Sequence, residues 1–218
     1  MQLTAGTLED ALGKRERKLL AALDSPPDIQ AFLDSIPYST DKFYRCPLRV
    51  LRERKGHCFD GALFAAAALR RIGHPPRIVD MHAERDDDHM LAVFQNGRLW
   101  GAVAKSNLVG LRYREPVYLS LRELIMSYFE FYYNLDREKS LRAYTIPLNL
   151  RTYDRLGWEV ADEPIEIIAQ RTDTIRRIQV LTPEMVRDLS LIDRRSYQAG
   201  LMGADAAGLY RPSKRRIS

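Results

Sequence analysis

Cys58 is the residue best placed to act as a nucleophile, because it precedes a segment that is apolar throughout. Every residue from Ala62 to Leu69 is apolar, which is typical of a helix buried on all sides. The free N–H groups and the dipole of a helix N-terminus favour an anion, and they can lower the pKa of a thiol from about 8.5. The sequence therefore predicts a thiolate at Cys58. Packing is the commoner role of a lone cysteine, and it is the role we assign to Cys46.

A thiolate nucleophile needs a partner base, and histidine is the usual one. The chain has four histidines, namely His57, His74, His82 and His89. His57 adjoins the cysteine, so its side chain is expected to point elsewhere, and His74 lies in a Gly-His-Pro-Pro turn. His82 and His89 each lie on or beside a predicted strand. A zinc site built from Cys58 with His57, His82 and His89 lacks the close-paired spacing of metal sites. No metal and no cofactor are therefore predicted.

The elements that must position these residues are a helical layer and a hairpin. Strands are predicted at Arg77–Ala83, Met90–Phe94 and Leu99–Val103, the last two joined by Asn96-Gly97, a strong hairpin signal. Helices are predicted on both sides of this region, with apolar residues at helical spacing. They run from Leu8 to Leu23, from Asp28 to Ile36, from Pro47 to Gly56, from Ser120 to Tyr132, and from Thr182.

Three stretches in this order resemble the transglutaminase-like cysteine-enzyme superfamily: GHCFDGA at 56–62, DHMLAVF at 88–94 and GRLWGAV at 97–103. The resemblance covers roughly residues 29–150. It implies an α+β fold in which a buried Cys-bearing helix packs on an antiparallel β-sheet, a papain-like core. It also implies that Cys58 is the nucleophile, that His89 is the base, and that an acid on the next strand orients the imidazole.

The position of that acid departs from the family pattern. With Asn96 and Gly97 as a two-residue loop, His89 is expected to face Ala104, which cannot orient an imidazole. Ser106 is the next residue on the same face. Asn107 is chemically better, because an amide oxygen accepts from an imidazole N–H, and it is the favoured third residue. A carboxylate from Asp86–Asp88 is a further alternative.

The expected function is thiol-dependent acyl chemistry on an amide or peptide bond. Cys58 would attack the carbonyl and His89 would carry the proton. The thioester would pass to water, as in a cysteine peptidase or amidase, or to an amine, as in a transglutaminase-type acyltransferase. Because Ala104 stands where an acid is expected, the alternative is a catalytically inactive module that binds a peptide or protein.

Composition and charge narrow the classes of protein to which this chain can belong. The formal net charge is only +5, and the basic residues are mixed with acids apart from the stretch Lys214-Arg215-Arg216, so a nucleic-acid partner is not favoured. No membrane span or secretory signal is evident, and two cysteines do not make a disulfide framework. We therefore expect a cytoplasmic protein, with a transglutaminase-like domain and its N-terminal helices at 1–153. A C-terminal appendage follows at 154–218, in which 166–169 and 175–181 are strand or helix.

Overall fold

The computed structural model describes residues 7–211, so the basic stretch at 214–216 lies outside the described residues. The helices are α1 (Lys14–Ala21), α2 (Pro26–Asp34), α3 (Pro47–Glu53), α4 (Cys58–Arg71), α5 (Leu121–Met126), α6 (Glu163–Thr174), α7 (Pro183–Arg187) and α8 (Arg194–Gly200). The strands are β1 (Arg77–Ala83), β2 (His89–Asn96), β3 (Leu99–Val103), β4 (Arg114–Tyr118), β5 (Leu141–Thr145), β6 (Leu148–Asn149) and β7 (Arg177–Gln179).

The strands form a seven-stranded sheet with the order β4-β3-β2-β1-β5-β7, and β6 pairs with β1. Every strand pairing in it is antiparallel. Helix α4 packs on one face, together with α2 and α3. The other face is covered by α5 and by the buried rings of Tyr128 and Tyr132. The fold is therefore α+β, with the Cys-bearing helix on an antiparallel sheet, and this prediction is confirmed. No helix among the described residues is long and apolar enough to span a bilayer.

The β2–β3 hairpin forms as predicted, but its loop is shifted by one residue. Asn96 pairs with Leu99, and Gly97, at φ +59°, occupies the first loop position that Asn96 was expected to fill. Glycine takes this left-handed conformation without the penalty that a Cβ brings. The shift moves the register by two residues, so continuation of the pairing sets Ala104 against Leu91 and Ser106 against His89. The expected pairing of His89 with Ala104 was therefore wrong.

The N-terminal helices keep their predicted places with different boundaries. The first predicted helix divides at Gly13 into a short 3-10 turn and α1. Ser25, rather than Asp28, caps α2, because its hydroxyl accepts from the Asp28 N–H. Ser120 and Glu123 form a capping box at the start of α5. However, α5 ends at Met126, and the aromatic residues beyond it continue as a 3-10 turn.

Residues 154–211 share the core and the sheet with the preceding residues. Trp158 is buried in the same cluster as α4, and the side chain of Glu159 accepts from the Leu8 N–H at 2.8 Å. The two stretches left open by the sequence become a helix, α6, and a strand, β7, which extends the sheet beyond β5. The boundary at residue 153 stays a prediction.

Gly61 lets the chain after β3 cross close to α4. A Cβ on Gly61 would lie 2.2 Å from the Cβ of Lys105. Lys105 is itself buried, and its ammonium donates to the carbonyls of Leu33, at 2.8 Å, and Ile36. A side chain at position 61 would therefore displace a buried charge from its acceptors.

We expect Gly61→Ala to lower the free energy of unfolding by about 1–2 kcal/mol, because overpacking exceeds the gain of about 1 kcal/mol in helix propensity. Urea unfolding followed by circular dichroism measures this. The control is Gly13→Ser, since a Cβ at Gly13 meets nothing closer than 3.5 Å; we expect its effect to stay within about 0.5 kcal/mol. A stabilised Gly61→Ala would contradict the close packing.

Candidate active site

The start of α4 is fixed by its own first residues. His57 is the N-cap, and its Nδ1 accepts from the backbone N–H groups of Phe59, at 3.1 Å, and Asp60, at 3.4 Å. The fully buried Asp60 carboxylate accepts from the backbone N–H groups of His57, at 3.2 Å, and Arg45, at 2.8 Å. Sequence reasoning missed this role of His57, because an imidazole is not among the usual N-cap side chains. Cys58, the next residue, is held rigidly as a result.

The thiol of Cys58 lies against the backbone of β2. Its Sγ is 3.9 Å from the Asp88 carbonyl oxygen, and the Met90 N–H donates toward it. These two backbone groups stand immediately before and after His89. Strand β3 ends at Val103, opposite Ala92, so the thiol occupies the edge of β2 that β3 leaves free. The thiol of Cys58 therefore lies against the backbone on both sides of His89.

His89 is buried and oriented by a backbone carbonyl. Its Nε2 lies 2.8 Å from the Leu111 carbonyl oxygen. A carbonyl oxygen only accepts, so Nε2 carries the proton and Nδ1 is the basic nitrogen of the neutral ring. The edge of the Tyr132 ring packs against the imidazole, with centroids 6.5 Å apart. Sequence reasoning could not find Leu111, because a main-chain oxygen leaves no side-chain signal.

Cys58 and His89 line one small cavity, with a volume of about 60 Å³, together with Tyr38, Leu111 and Tyr132. Within residues 7–211, no hydrogen bond joins the thiol to the imidazole. His89 pairs with Met81, whose side chain belongs to the core on the sheet face away from α4. The two side chains thus border a shared space without a direct bond.

Burial sets the protonation of both groups. It raises the pKa of the Cys58 thiol to about 12 and lowers the pKa of the His89 imidazole to about 4. Both groups are therefore neutral at pH 7. The lowered thiol pKa expected from the helix N-terminus is not found, because a helix dipole contributes only about 1 kcal/mol, less than one pKa unit. Loss of solvation around the sulfur outweighs it.

Tyr38 closes the site from the other side of Cys58. Its hydroxyl lies beside the thiol and the backbone N–H of Cys58, and burial raises the pKa of the phenol. The Tyr38 segment is attached to the residue before the N-cap, since the Ser39 N–H donates to the Gly56 carbonyl at 3.0 Å. The Cys58 N–H, which is the natural oxyanion donor at this position, is covered by the phenol.

Asn107 contacts the C-terminal segment instead of His89. Its amide donates to the Asp205 carbonyl and accepts from the Asp205 N–H, both at 2.8 Å. This pair holds residues 205–210, which we call the C-terminal strap, beside the cavity. A Cβ on Gly208 of the strap would lie 2.9 Å from the Tyr38 ring, so the strap packs directly on the residue that covers Cys58.

The other two alternatives for the third residue also lie elsewhere. The Ser106 hydroxyl accepts from the Leu108 N–H at 3.0 Å. In the acidic run, Asp86 accepts from the Ser140 hydroxyl at 2.6 Å, and Asp88 accepts from the Ala83 N–H at 2.8 Å. These carboxylates hold the connection between β1 and β2 in place.

No protein-family model matches the chain, and no curated protein matches it. Among solved structures, the chain is similar to LapG of Legionella pneumophila, with a TM-score of 0.35 and 16% identity over 47% of this chain and 74% of that one. For calcium-bound LapG the TM-score is 0.34 and the identity 15%, over 45% of this chain and 67% of that one. For EGTA-treated LapG the TM-score is 0.40 and the identity 13%, over 74% of this chain and 99% of that one. The similarity to these structures is distant and partial.

We expect iodoacetamide to label Cys58 slowly at pH 7 and about tenfold faster for each pH unit up to at least pH 10, because only the thiolate reacts and burial holds its pKa near 12. Rates are measured by mass spectrometry in a Cys46→Ser background. An apparent pKa below that of an ordinary thiol, about 8.5, would contradict this assignment.

Asn107→Ala separates two roles of Asn107. If the amide holds the C-terminal strap, its loss exposes Cys58 to water, lowers the thiol pKa and speeds labelling at pH 8 by at least about threefold. If the amide instead orients His89, its loss leaves labelling unchanged or slower. Asn96→Ala, in the exposed end of β2, is the matched control and should leave the rate unchanged.

Proposed function

We propose that this chain is a thiol-dependent enzyme that acts on an amide or peptide bond, with Cys58 as nucleophile and His89 as base. The observation that carries the proposal is the position of the thiol. It lies between the Asp88 carbonyl and the Met90 N–H, beside an imidazole whose Nε2 is fixed at 2.8 Å from the Leu111 carbonyl. Nδ1 of His89 is then the nitrogen available to take the thiol proton.

The reaction would begin when a substrate carbonyl displaces the Tyr38 hydroxyl from Cys58. The sulfur attacks the carbonyl carbon while its proton moves to Nδ1 of His89. The Cys58 N–H, freed from Tyr38, stabilises the oxyanion. His89 then gives its proton to the leaving amine, which departs from a thioester. Water ends the cycle in a hydrolase, and a second amine ends it in an acyltransferase.

In this proposal the Leu111 carbonyl takes the orienting role that the sequence assigned to Asn107. An acceptor on Nε2 holds the ring in the tautomer with a basic Nδ1, and it stabilises the imidazolium that forms during the attack. Because the acceptor is an uncharged amide, we expect less stabilisation of the imidazolium than a carboxylate would give. The neutral resting pair is consistent with that weaker acceptor.

A peptide-binding module without catalysis is the second candidate. The observation in its favour is the resting chemistry at Cys58, a protonated thiol covered by Tyr38. Such a protein would bind a peptide at the same cleft and leave it intact. The two candidates differ in one property, which is whether an acyl group is transferred to Cys58.

We expect a small activated ester such as p-nitrophenyl acetate to acylate Cys58, detected as a mass increase on the peptide that contains it. His89→Ala should slow acylation by about 10²-fold or more, the usual contribution of a general base. His74→Ala is the matched control, since His74 lies in the turn after α4, and it should react within about twofold of the unmodified protein.

The fate of the thioester separates the two enzyme classes. Loss of the adduct to water marks a hydrolase, whereas faster loss upon addition of a primary amine, with amide formed, marks an acyltransferase. Equal acylation rates in the unmodified protein and in His89→Ala would contradict the role of His89 as base. If Cys58 is not acylated and Cys58→Ala binds peptide as well as the unmodified protein does, the chain is a peptide-binding module without catalysis.

A further inference from the structure

Asp80, His82 and Asp88 form a compact cluster beside the proposed active site. Asp80 and His82 are two residues apart on β1, so their side chains lie on the same face of the sheet. Asp88 directly precedes β2. One donor atom from each of the three residues lies within 4.8 Å of the other two. Asp80 and Asp88 also line a groove of about 420 Å³ that reaches Cys58, so the cluster is accessible to a small solute.

His82 is held in one tautomer by Asp88. The His82 Nδ1 is 2.7 Å from Asp88 Oδ2, so Nδ1–H donates to the carboxylate. The lone pair of Nε2 then points toward Asp80, whose Oδ2 is 3.3 Å away. Neither His82 Nε2 nor Asp80 Oδ1 has a hydrogen-bond partner within the described part of the chain. The Nε2 nitrogen therefore faces one oxygen of the Asp80 carboxylate, and the other oxygen, Oδ1, has no partner among the described residues.

This arrangement is costly for a buried carboxylate. Asp80 is only 4% exposed, and buried polar atoms without a protein partner are rare and commonly bind an ion or a water. A cation bound by Nε2 and by the Asp80 carboxylate would neutralise the buried carboxylate and give Nε2 a partner. Other acidic side chains line the same groove, namely Asp41, Asp87 and Asp173, and their charge attracts cations toward it.

The spacing suits a transition-metal ion. Zinc binds imidazole nitrogen and carboxylate oxygen at about 2.0–2.2 Å, so two ligands of a tetrahedral ion lie roughly 3.4 Å apart. The observed separation between His82 Nε2 and Asp80 Oδ2 is 3.3 Å. Metal-bound histidines usually donate their other ring N–H to a carboxylate, which fixes the tautomer and the ring orientation. The 2.7 Å contact between His82 Nδ1 and Asp88 Oδ2 matches that pattern.

We propose that Asp80 and His82 bind a divalent transition-metal ion, Zn²⁺ or Mn²⁺, with Asp88 as the residue that positions His82. The remaining coordination positions face the groove and are filled by water or by a ligand in it. An imidazole among the donors disfavours Ca²⁺, which takes six to eight oxygen ligands. The proposal does not depend on acyl chemistry at Cys58. It also differs from the zinc site considered from the sequence, because His57 caps α4 and His89 binds Leu111.

Isothermal titration of the chelator-treated protein with Zn²⁺, Mn²⁺ and Ca²⁺ tests this site. We expect one Zn²⁺ per chain with a Kd at or below about 0.1 mM, and weaker Ca²⁺ binding. His82→Gln and Asp80→Asn should each weaken Zn²⁺ binding at least tenfold, and Asp88→Asn about 10- to 100-fold through the orientation of His82. Circular dichroism confirms that each variant is folded, and the exposed position of Asp88 makes its variant the safest of the three.

Two control variants test whether Zn²⁺ binding belongs to the cluster itself. Asp173→Asn removes one charge from the same groove without touching the cluster, and it should change Zn²⁺ affinity by less than about threefold. Cys58→Ala should retain Zn²⁺ binding. No binding of Zn²⁺ or Mn²⁺ at millimolar concentration, an equal loss in Asp173→Asn, tighter binding of Ca²⁺, or loss in Cys58→Ala would each overturn the proposal.

Discussion

The burial of helix α4 along its middle, from Phe59 to Leu69, is the constraint on which the rest of the molecule depends. Every side chain from Phe59 to Leu69 is buried, so the helix has no freedom to rotate or slide against the sheet. Its first turn is fixed by the Asp60 carboxylate, which accepts from the backbone N–H groups of the N-cap His57 and of Arg45, in the segment before α3. Cys58 therefore has one position, at the edge of β2. A nucleophile needs this kind of fixed placement.

The same burial decides the chemical state of the site. A sulfur and an imidazole that are shielded from water both lose their charged forms, so the pair rests as thiol and neutral imidazole. Tyr38 and the C-terminal strap complete the shielding, and Asn107 attaches the strap at Asp205. Cys58 nevertheless stays half-buried, because it also lines the groove of about 420 Å³.

The two faces of the sheet carry different chemistry at the start of β2. His89 turns toward the face that holds Tyr132 and the Leu111 carbonyl, whereas Asp88 and its partner His82 turn toward the groove on the α4 side. Successive residues of a strand point to opposite faces, so neighbours in sequence serve separate clusters. This alternation places a candidate cation site beside a candidate nucleophile without a shared side chain.

The sequence by itself determined the elements whose signals are local. The apolar run after Cys58, the strand at Arg77–Ala83 and the hairpin around Gly97 follow from composition and from the freedom of glycine, and the α+β arrangement follows from their order. Tertiary structure decided the loop position that sets the register of β3, the contact of Leu111 with His89 and the use of Asn107 by the strap. It also decided that burial outweighs the helix dipole at Cys58. These depend on main-chain atoms and solvent exclusion contributed by segments distant in sequence, which no local pattern of side chains records.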